Sequence, residues 1–402
     1  MNTELKAALF KLLAYCRAEE WAGYDPYDAL TSGLFTKLPL LDSRFPRLAM
    51  TQVLKRSPIN IRYLALIPKA QNPKAMALFL SALLQVKSED LPDREGLIQY
   101  MITRLADLRS KDAPYDCWGY SFPWQTRNVL VPLGAPNVVC TTFVASSLLD
   151  AYQQGWDGLC LRMAVSTAEY ILNELYWSEG EAAGFSYPMP QIRSHTYNAN
   201  LLAAALLCRV ARLTNDSKFV EPALRTARYA VSKQHADGSW FYGESPKSRW
   251  IDNFHTGYNL GALRSIGHHL ETDEFDASIR RGFQFYRANF FREDAAPKYF
   301  HDQAYPLDIH SVAQSILTLV QFKDLDSTNI ELAHSVFRWA MAHMWDDCGF
   351  FYYRVLRLYT IHTSYMRWSQ AWMLLALSSL FRESDGEMKR RETETHKTLV
   401  DA

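Results

Sequence analysis

The chain has no surplus of charge: Lys plus Arg and Asp plus Glu come to 43 each in 402 residues. A protein that gathers nucleic acid or an anionic membrane through net charge needs a basic excess, so that class is set aside. No apolar run approaches the ~18 residues of a membrane span. The six cysteines (Cys16, Cys117, Cys140, Cys160, Cys208 and Cys348) form no CxxC and no paired spacing. That pattern suits buried free thiols in a reducing compartment, which reads as a cytoplasmic protein. No phosphate-binding glycine loop occurs, which disfavours a sugar-nucleotide glycosyltransferase. The opening MNTELKAALFKLLAYCRAEEW has Glu4 and Lys6 before an apolar stretch that Lys11 interrupts, so it reads as an amphipathic helix and not as a signal peptide.

What the chain does have is apolar residues, at 48%, and aromatics, at 13% with 22 Tyr and 11 Trp. The 3.6-residue apolar period predicts twelve helices, near 3–20, 74–86, 93–109, 138–152, 158–175, 197–212, 217–234, 256–270, 274–291, 309–322, 329–344 and 367–382. The even-numbered members, such as NANLLAAALLCRVA, are apolar on nearly all sides, whereas odd-numbered ones such as FDASIRRGFQFYRANF carry a charged stripe. The even set is expected as an inner ring and the odd set as an outer one. Links such as 213–216 and 271–273 are short, whereas 110–137, 176–196, 235–255 and 345–366 are long. All long loops then fall at one end, and loops of that length in a compact domain usually carry function.

Five of these loops share an aromatic signature: Trp118-Gly119-Tyr120-Ser121-Phe122, Gly184-Phe185-Ser186-Tyr187, Gly238-Ser239-Trp240-Phe241-Tyr242, Lys298-Tyr299-Phe300 and Gly349-Phe350-Phe351-Tyr352. The recurrence is an internal repeat and favours one closed array over two unrelated domains. The expected fold is all-α, a single (α/α)6 toroid of six helical hairpins over residues 1–382, with 383–402 a charged, disordered tail. The segment 21–73 is expected to close the ring between the first two helices, and its Arg44, Arg47, Lys55, Arg56 and Arg62 read as a solvated face ahead of a contact for an anionic glycan.

The stretch RTARYAVSKQHADGSW, Arg225 to Trp240, resembles the QW repeat of squalene-cyclase-type toroids, with Gln234, Gly238 and Trp240 at the matching spacing. The acidic D-x-D-D motif of those cyclases and the D-D-x-x-D metal motif of other terpene synthases are missing, so the resemblance implies the toroid more than the terpenoid reaction. WIDNFHTGYNLGAL (Trp250–Leu263), YPLDIHSVAQSILTL (Tyr305–Leu319) and YMRWSQAWM (Tyr365–Met373) resemble a family associated with bacterial exopolysaccharide biosynthesis clusters. That family lies within the broad α/α-toroid group of six-hairpin glycosidases, polysaccharide lyases and glucuronyl C5-epimerases, and DIHSVAQSILTL is similar to a segment of the last. The resemblance implies a polysaccharide or oligosaccharide substrate and, as partners, polysaccharide biosynthesis proteins.

If the inner helices start at the long-loop end, their free N–H groups and positive dipole ends surround a cavity mouth that favours an anionic or hydroxyl-rich ligand. Polar residues recur at those starts: Asn137 and Thr141; His195, Tyr197 and Asn200; Asp252, His255, Thr256 and Asn259; Asp308, His310 and Gln314; His362, Tyr365, Arg367 and Gln370. Asp252 with His255, and Asp308 with His310, read either as acid/base pairs or as helix caps with satisfied histidines. Glycoside hydrolysis needs two carboxylates across a cavity, for which Asp252 and Asp308 are the candidates, with Asp116 and Glu244 as substitutes. A uronate lyase or C5-epimerase needs a base such as Tyr, His or Lys and a group that neutralises the carboxylate; Tyr258, Tyr365, His255, His310 and Arg367 suit it. Both sets are present. His195, His255, His310 and Asp308 also admit a zinc reading, but no H-x-x-x-H or H-E-x-x-H spacing supports it, and no metal or other cofactor is expected. Trp118, Trp124, Trp240 and Trp250 are candidate platforms for sugar rings, each equally readable as packing, and Arg127 is a candidate anion contact. Two further readings compete with an enzyme acting on a glycan: a non-catalytic glycan-binding scaffold of a polysaccharide assembly complex, and a terpenoid cyclase.

Overall fold

The computed structural model describes residues 2–37, 43–126 and 129–400, the last helix beyond Gly386 by its backbone alone. In chain order its α-helices are α1 (Asn2–Ala18), α2 (Gly33–Lys37), α3 (Arg44–Arg56), α4 (Pro73–Leu83), α5 (Arg94–Asp107), α6 (Val138–Gln153), α7 (Gly158–Tyr170), α8 (Tyr197–Thr214), α9 (Val220–Ser232), α10 (Asn253–Leu270), α11 (Asp276–Asn289), α12 (Ile309–Gln321), α13 (Asn329–Met344) and α14 (Ala371–Val400). All but α2 and α3 fall on the twelve segments that the apolar period marks. Helix α3 was missed because it buries little, with only Thr51 and Leu54 turned fully inward.

The even-numbered helices from α4 to α14 touch in sequence, α4 to α6, α6 to α8 and on to α14, which returns to α4. The inner ring is therefore closed. Outside it, α5, α7, α9, α11 and α13 each pack on the inner helix that precedes them, and α1 packs on α14, so the two ends of the chain form the sixth hairpin. This is the all-α (α/α)6 toroid. Inner helices are apolar all round because one face meets the outer ring and both flanks meet neighbours; nearly every side chain of α4 is buried. The charged stretch from Glu383, expected as a tail, continues α14, where Glu383 pairs with Lys323 and the Ser384 hydroxyl lies 3.0 Å from His334 Nε2.

Four inner helices open on an Asx residue whose side chain accepts a backbone N–H of the first turn: Asn72 for α4, Asn137 for α6, Asp252 for α10 and Asp308 for α12. These caps satisfy donors that helix geometry leaves open, and they set all four starts at the long-loop end. There the loops fold into short antiparallel pairs: β1 (Trp124–Gln125) with β2 (Leu130–Val131), β3 (Tyr176–Glu179) with β4 (Ala182–Phe185), and β6 (Trp345–Asp346) with β7 (Phe350–Phe351). A three-stranded piece joins β5 (Leu307–Asp308), β8 (Arg354–Val355) and β9 (Thr360–Ile361), and it carries the chain into α12.

The aromatic signature of the loops follows the two-residue alternation of extended chain, in which successive side chains point to opposite faces. Trp118, Phe185 and Trp240 turn into the core, while Tyr120, Tyr187 and Tyr242, two residues on, turn into the central cavity. Trp118 Nε1 donates to Leu105 O at 2.7 Å and Trp240 Nε1 to Ala230 O at 3.0 Å, so each indole ties a loop to the helix before it. The segment that resembles the QW repeat staples neighbouring hairpins: Gln234 Nε2 donates to Gly238 O and to Ser278 O, and Ser278 Oγ donates to Gln234 Oε1. Gly238 has φ +92°, and an added Cβ would stand 2.3 Å from Arg281 O. Gly238→Ala is therefore expected to cost about 1–3 kcal/mol, read as a lower urea midpoint. An unchanged midpoint would mean that this loop is not docked on α11.

Candidate active site

The long-loop end of the toroid opens into a cavity of about 670 Å³. Tyr258 lines its floor and packs with Phe143 and Trp372 behind it in a triangle of rings with centroids 5.3–5.7 Å apart. Below the floor lies a separate chamber of about 570 Å³ at the short-connection end, which Gln314 lines. Gln314 thus sits under the cavity and not in it, where its Nε2 donates to Thr318 Oγ1.

On one wall Asp252 both caps α10 and holds a histidine. Its Oδ1 accepts His255 N–H at 3.0 Å, and its Oδ2 accepts Trp250 Nε1–H at 2.9 Å and lies 2.7 Å from His255 Nδ1. The carboxylate is buried and its ligands fix it; the imidazole is half-open to the cavity, with Nε2 free of protein partners among the described residues. The tautomer with hydrogen on Nδ1 is the one that a carboxylate at that distance stabilises.

His310 stands across the floor. Its Nε2 is 2.6 Å from the Tyr258 hydroxyl, and its Nδ1 is buried without a partner. Burial pushes this imidazole well below its ordinary pKa, and Lys74, Arg367 and His255 act in the same direction, so His310 is neutral. Burial likewise drives the Tyr258 hydroxyl well above its ordinary value, so it keeps its proton. Tyr258 lies between the two histidines, its ring centroid 6.0 Å from that of His255 and 6.1 Å from that of His310.

A guanidinium and an amine complete the floor. Arg367 is buried and grips Asp25 through Nε at 2.7 Å and Nη2 at 2.9 Å. Burial works against its charge, yet Asp25, with Tyr120 and Tyr27, more than offsets that and holds the guanidinium protonated. Lys74 comes from the first turn of α4, and its Nζ lies 4.0 Å from the Phe143 ring centroid with no hydrogen-bond partner among the described residues. Burial, then Arg367, lowers its pKa well below the usual lysine range.

The other expected residues divide clearly. Trp124 and Trp250 line the cavity, and Trp250 stacks on Tyr242 at 4.5 Å. Trp118 and Trp240 are at most 1% exposed, so neither offers a face to a sugar. Asp308 is completely buried and does not line the cavity: Arg354 donates to its Oδ2 from Nε and Nη2, while Trp368 Nε1 and His310 N–H donate to Oδ1. It is an enclosed cap with its own counter-charge. Tyr365 is also fully buried, under the Arg62 guanidinium and against Tyr353. Asn137 caps α6, Asn200 accepts from Phe185 N–H, and Asn259 is buried within α10; none of the three reaches the cavity. His195 packs between Trp177 and Tyr229, with Glu244 held by the Tyr197 and Tyr229 hydroxyls. Asp116 pairs with Arg109 away from the mouth, and Arg127 lies outside the described residues. The four residues of the zinc reading are therefore not brought together: His195 is off the wall, Asp308 is enclosed, and His255 is engaged by Asp252.

Lys74 was the main residue that sequence reading passed over. Its signal was the single charge at the start of an otherwise apolar inner helix, PKAMALFLSALL. Tyr242 and Tyr299 were visible in the loop signature but not distinguishable there from packing residues.

No protein-family model matches the chain, and no curated protein matches its sequence. Solved structures match its fold. Cellobiose 2-epimerase from Spirochaeta thermophila superposes with a TM-score of 0.58 at 13% identity, over 79% of this chain and 87% of that one. Unsaturated glucuronyl hydrolase from Streptococcus agalactiae gives 0.59 at 11% identity, over 95% and 92%. A GH76 alpha-mannanase from Bacteroides thetaiotaomicron gives 0.57 at 10% identity, over 79% and 88%. The chain thus shares the toroid of six-hairpin glycosidase-like enzymes. Identities this low speak for the fold, and one fold carries epimerase, hydrolase and mannanase here. Among the described residues, no helix is long and apolar enough to cross a membrane.

Proposed function

We propose that the protein is a carbohydrate-active enzyme that moves a proton at a carbon beside a carbonyl group of a saccharide, the chemistry of an epimerase or lyase, rather than one that hydrolyses a glycosidic bond. The observation that carries this reading is the Asp252–His255 pair, with its buried carboxylate and free Nε2, on the same aromatic cavity as the Tyr258–His310 pair.

A general base must have an open lone pair within reach of the substrate and must be stabilised as it gains a proton. His255 meets both conditions, since the carboxylate of Asp252 lies against the nitrogen that does not react. The proton must then be returned to the other face of the carbon, or given to a leaving oxygen. The Tyr258 hydroxyl is the available donor, because it is held protonated and leans on neutral His310. Negative charge that grows on the carbonyl oxygen meets Lys74 and Arg367. Tyr120, Tyr242, Trp250 and Tyr299 supply the flat faces on which pyranose rings stack.

Hydrolysis would need a second working carboxylate. Among the described residues Asp252 alone of the acids lines the cavity, and both its oxygens are engaged. The epimerase and hydrolase neighbours support a saccharide substrate in general. The exopolysaccharide resemblance of the sequence supports a polysaccharide or oligosaccharide made by the same cell.

Incubation with acidic and neutral bacterial exopolysaccharides in deuterated water tests the reading. Deuterium entering a ring carbon without cleavage, or new absorbance at about 235 nm from an eliminated product, is expected for wild type and not for His255→Gln. Chain shortening with neither signal would replace this reading by hydrolysis. Glycan binding without any reaction would replace it by the scaffold.

A further inference from the structure

The floor of the cavity holds a guanidinium and a buried amine for which the protein supplies too few acceptors. Arg367 has spent Nε and Nη2 on Asp25, and its Nη1 makes no hydrogen bond among the described residues. Lys74 is 3% exposed, has no hydrogen-bond acceptor among the described residues, and lies over Phe143, Tyr258 and Trp372. The two come from adjacent inner helices, α4 and the turn Met366–Gln370 that leads into α14, and both line the cavity. An amine buried among rings beside a guanidinium is costly unless something brings an opposite charge. Asp252 is committed to His255 and Trp250, and Asp25 to Arg367, so neither does so.

On that basis, and resting on the saccharide reading above, we infer that the missing counter-charge belongs to the substrate: an acidic sugar whose anionic substituent sits between Lys74 Nζ and Arg367 Nη1. A carboxylate there would explain the chemistry as well as the binding. The carbon next to a carboxylate gives up its proton only if the charge passed to the oxygens is met, and two cations at the floor meet it. The cavity's size lies within the range of small-molecule sites and leaves room for neighbouring sugar units along the ring of aromatics.

The test compares a uronate-containing trisaccharide with the same trisaccharide after carboxyl reduction, by calorimetry on the full-length protein. The acidic form is expected to bind at least about tenfold more tightly, and Lys74→Met to remove that preference while still binding the reduced form. A second measurement needs no variant. The groups facing Lys74 are Arg367, Asp25 behind it, Cys140, Tyr258 and His310. An anion bound among them raises the lowered lysine pKa, so binding takes up a proton and weakens as pH rises. The heat should then depend on the ionisation enthalpy of the buffer for the acidic ligand and not for the reduced one.

Equal affinity for the two forms, with no proton uptake, would overturn the anion pocket and leave the saccharide reading standing. Binding of neither form would overturn both. Tighter binding of a sugar phosphate than of the uronate would keep the pocket and assign it to a phosphoryl group.

Discussion

His255→Gln is expected to lower turnover by about 10²–10⁴-fold, the usual contribution of a positioned general base, with little change in the urea midpoint. Glutamine keeps a hydrogen-bonding tip of similar reach, and the side chain is half-open, so stability has little at stake. Asp252→Asn is the sharper variant. Asparagine still caps α10, but one of its two tip atoms is a donor, so it cannot accept from His255 N–H, His255 Nδ1–H and Trp250 Nε1–H together. The expected outcome is an imidazole freed to turn or to shift its proton, with kcat lowered by a similar order and substrate affinity nearly kept. If both variants turned over at the wild-type rate, proton transfer by this pair would be ruled out and the aromatic wall alone would remain as a binding surface.

Arg354→Met is expected to have the largest effect on stability. It leaves Asp308 as a buried carboxylate with its counter-charge gone, a change that typically costs about 3–5 kcal/mol. The readout is the urea midpoint and slope of unfolding. Asp308→Asn should cost less, since the cap on α12 survives and Arg354 can turn towards solvent. This contrast bears directly on function. A carboxylate that acts on substrate would tolerate loss of its guanidinium with a change in rate, whereas an enclosed structural carboxylate makes the protein fall apart first. A midpoint shift under about 1 kcal/mol for Arg354→Met would return Asp308 to the list of reacting groups and reopen hydrolysis.

Much of this molecule is legible in its sequence. The inner helices announce themselves because a helix surrounded on three sides is apolar on three sides, as in NANLLAAALLCRVA. Gly238 and Trp240 announce a docked loop, and the recurring histidines at helix starts mark one rim as special. The segment 21–73 was less legible because α3 lies on the surface with few buried residues and so leaves little period to read. Two of the four rim histidines reach the cavity. His195 and His362 do not, His362 lying 4.3 Å from Tyr352.

The two Asp–His motifs show where sequence stops. In both, the aspartate caps an inner helix, and nothing in WIDNFH or PLDIH tells them apart as chemistry. The spacing differs by one residue, which on a helix is about 100°. At three residues His255 comes back over its own cap and is gripped by it, while at two residues His310 is carried away from its cap and towards Tyr258 of the next helix. Asp308 is then closed off by Arg354, 46 residues further along the chain, and Lys74 is given its ring floor by α6, α10 and α14. Local periodicity and capping are properties of neighbouring residues, and the sequence alone determined from them the helices, their hairpin order and the end of the toroid at which the long loops gather. Which Asp–His pair reaches the cavity, which carboxylate is enclosed and which amine lacks a partner depend on side chains that meet only when the ring closes, and the tertiary structure alone decided them.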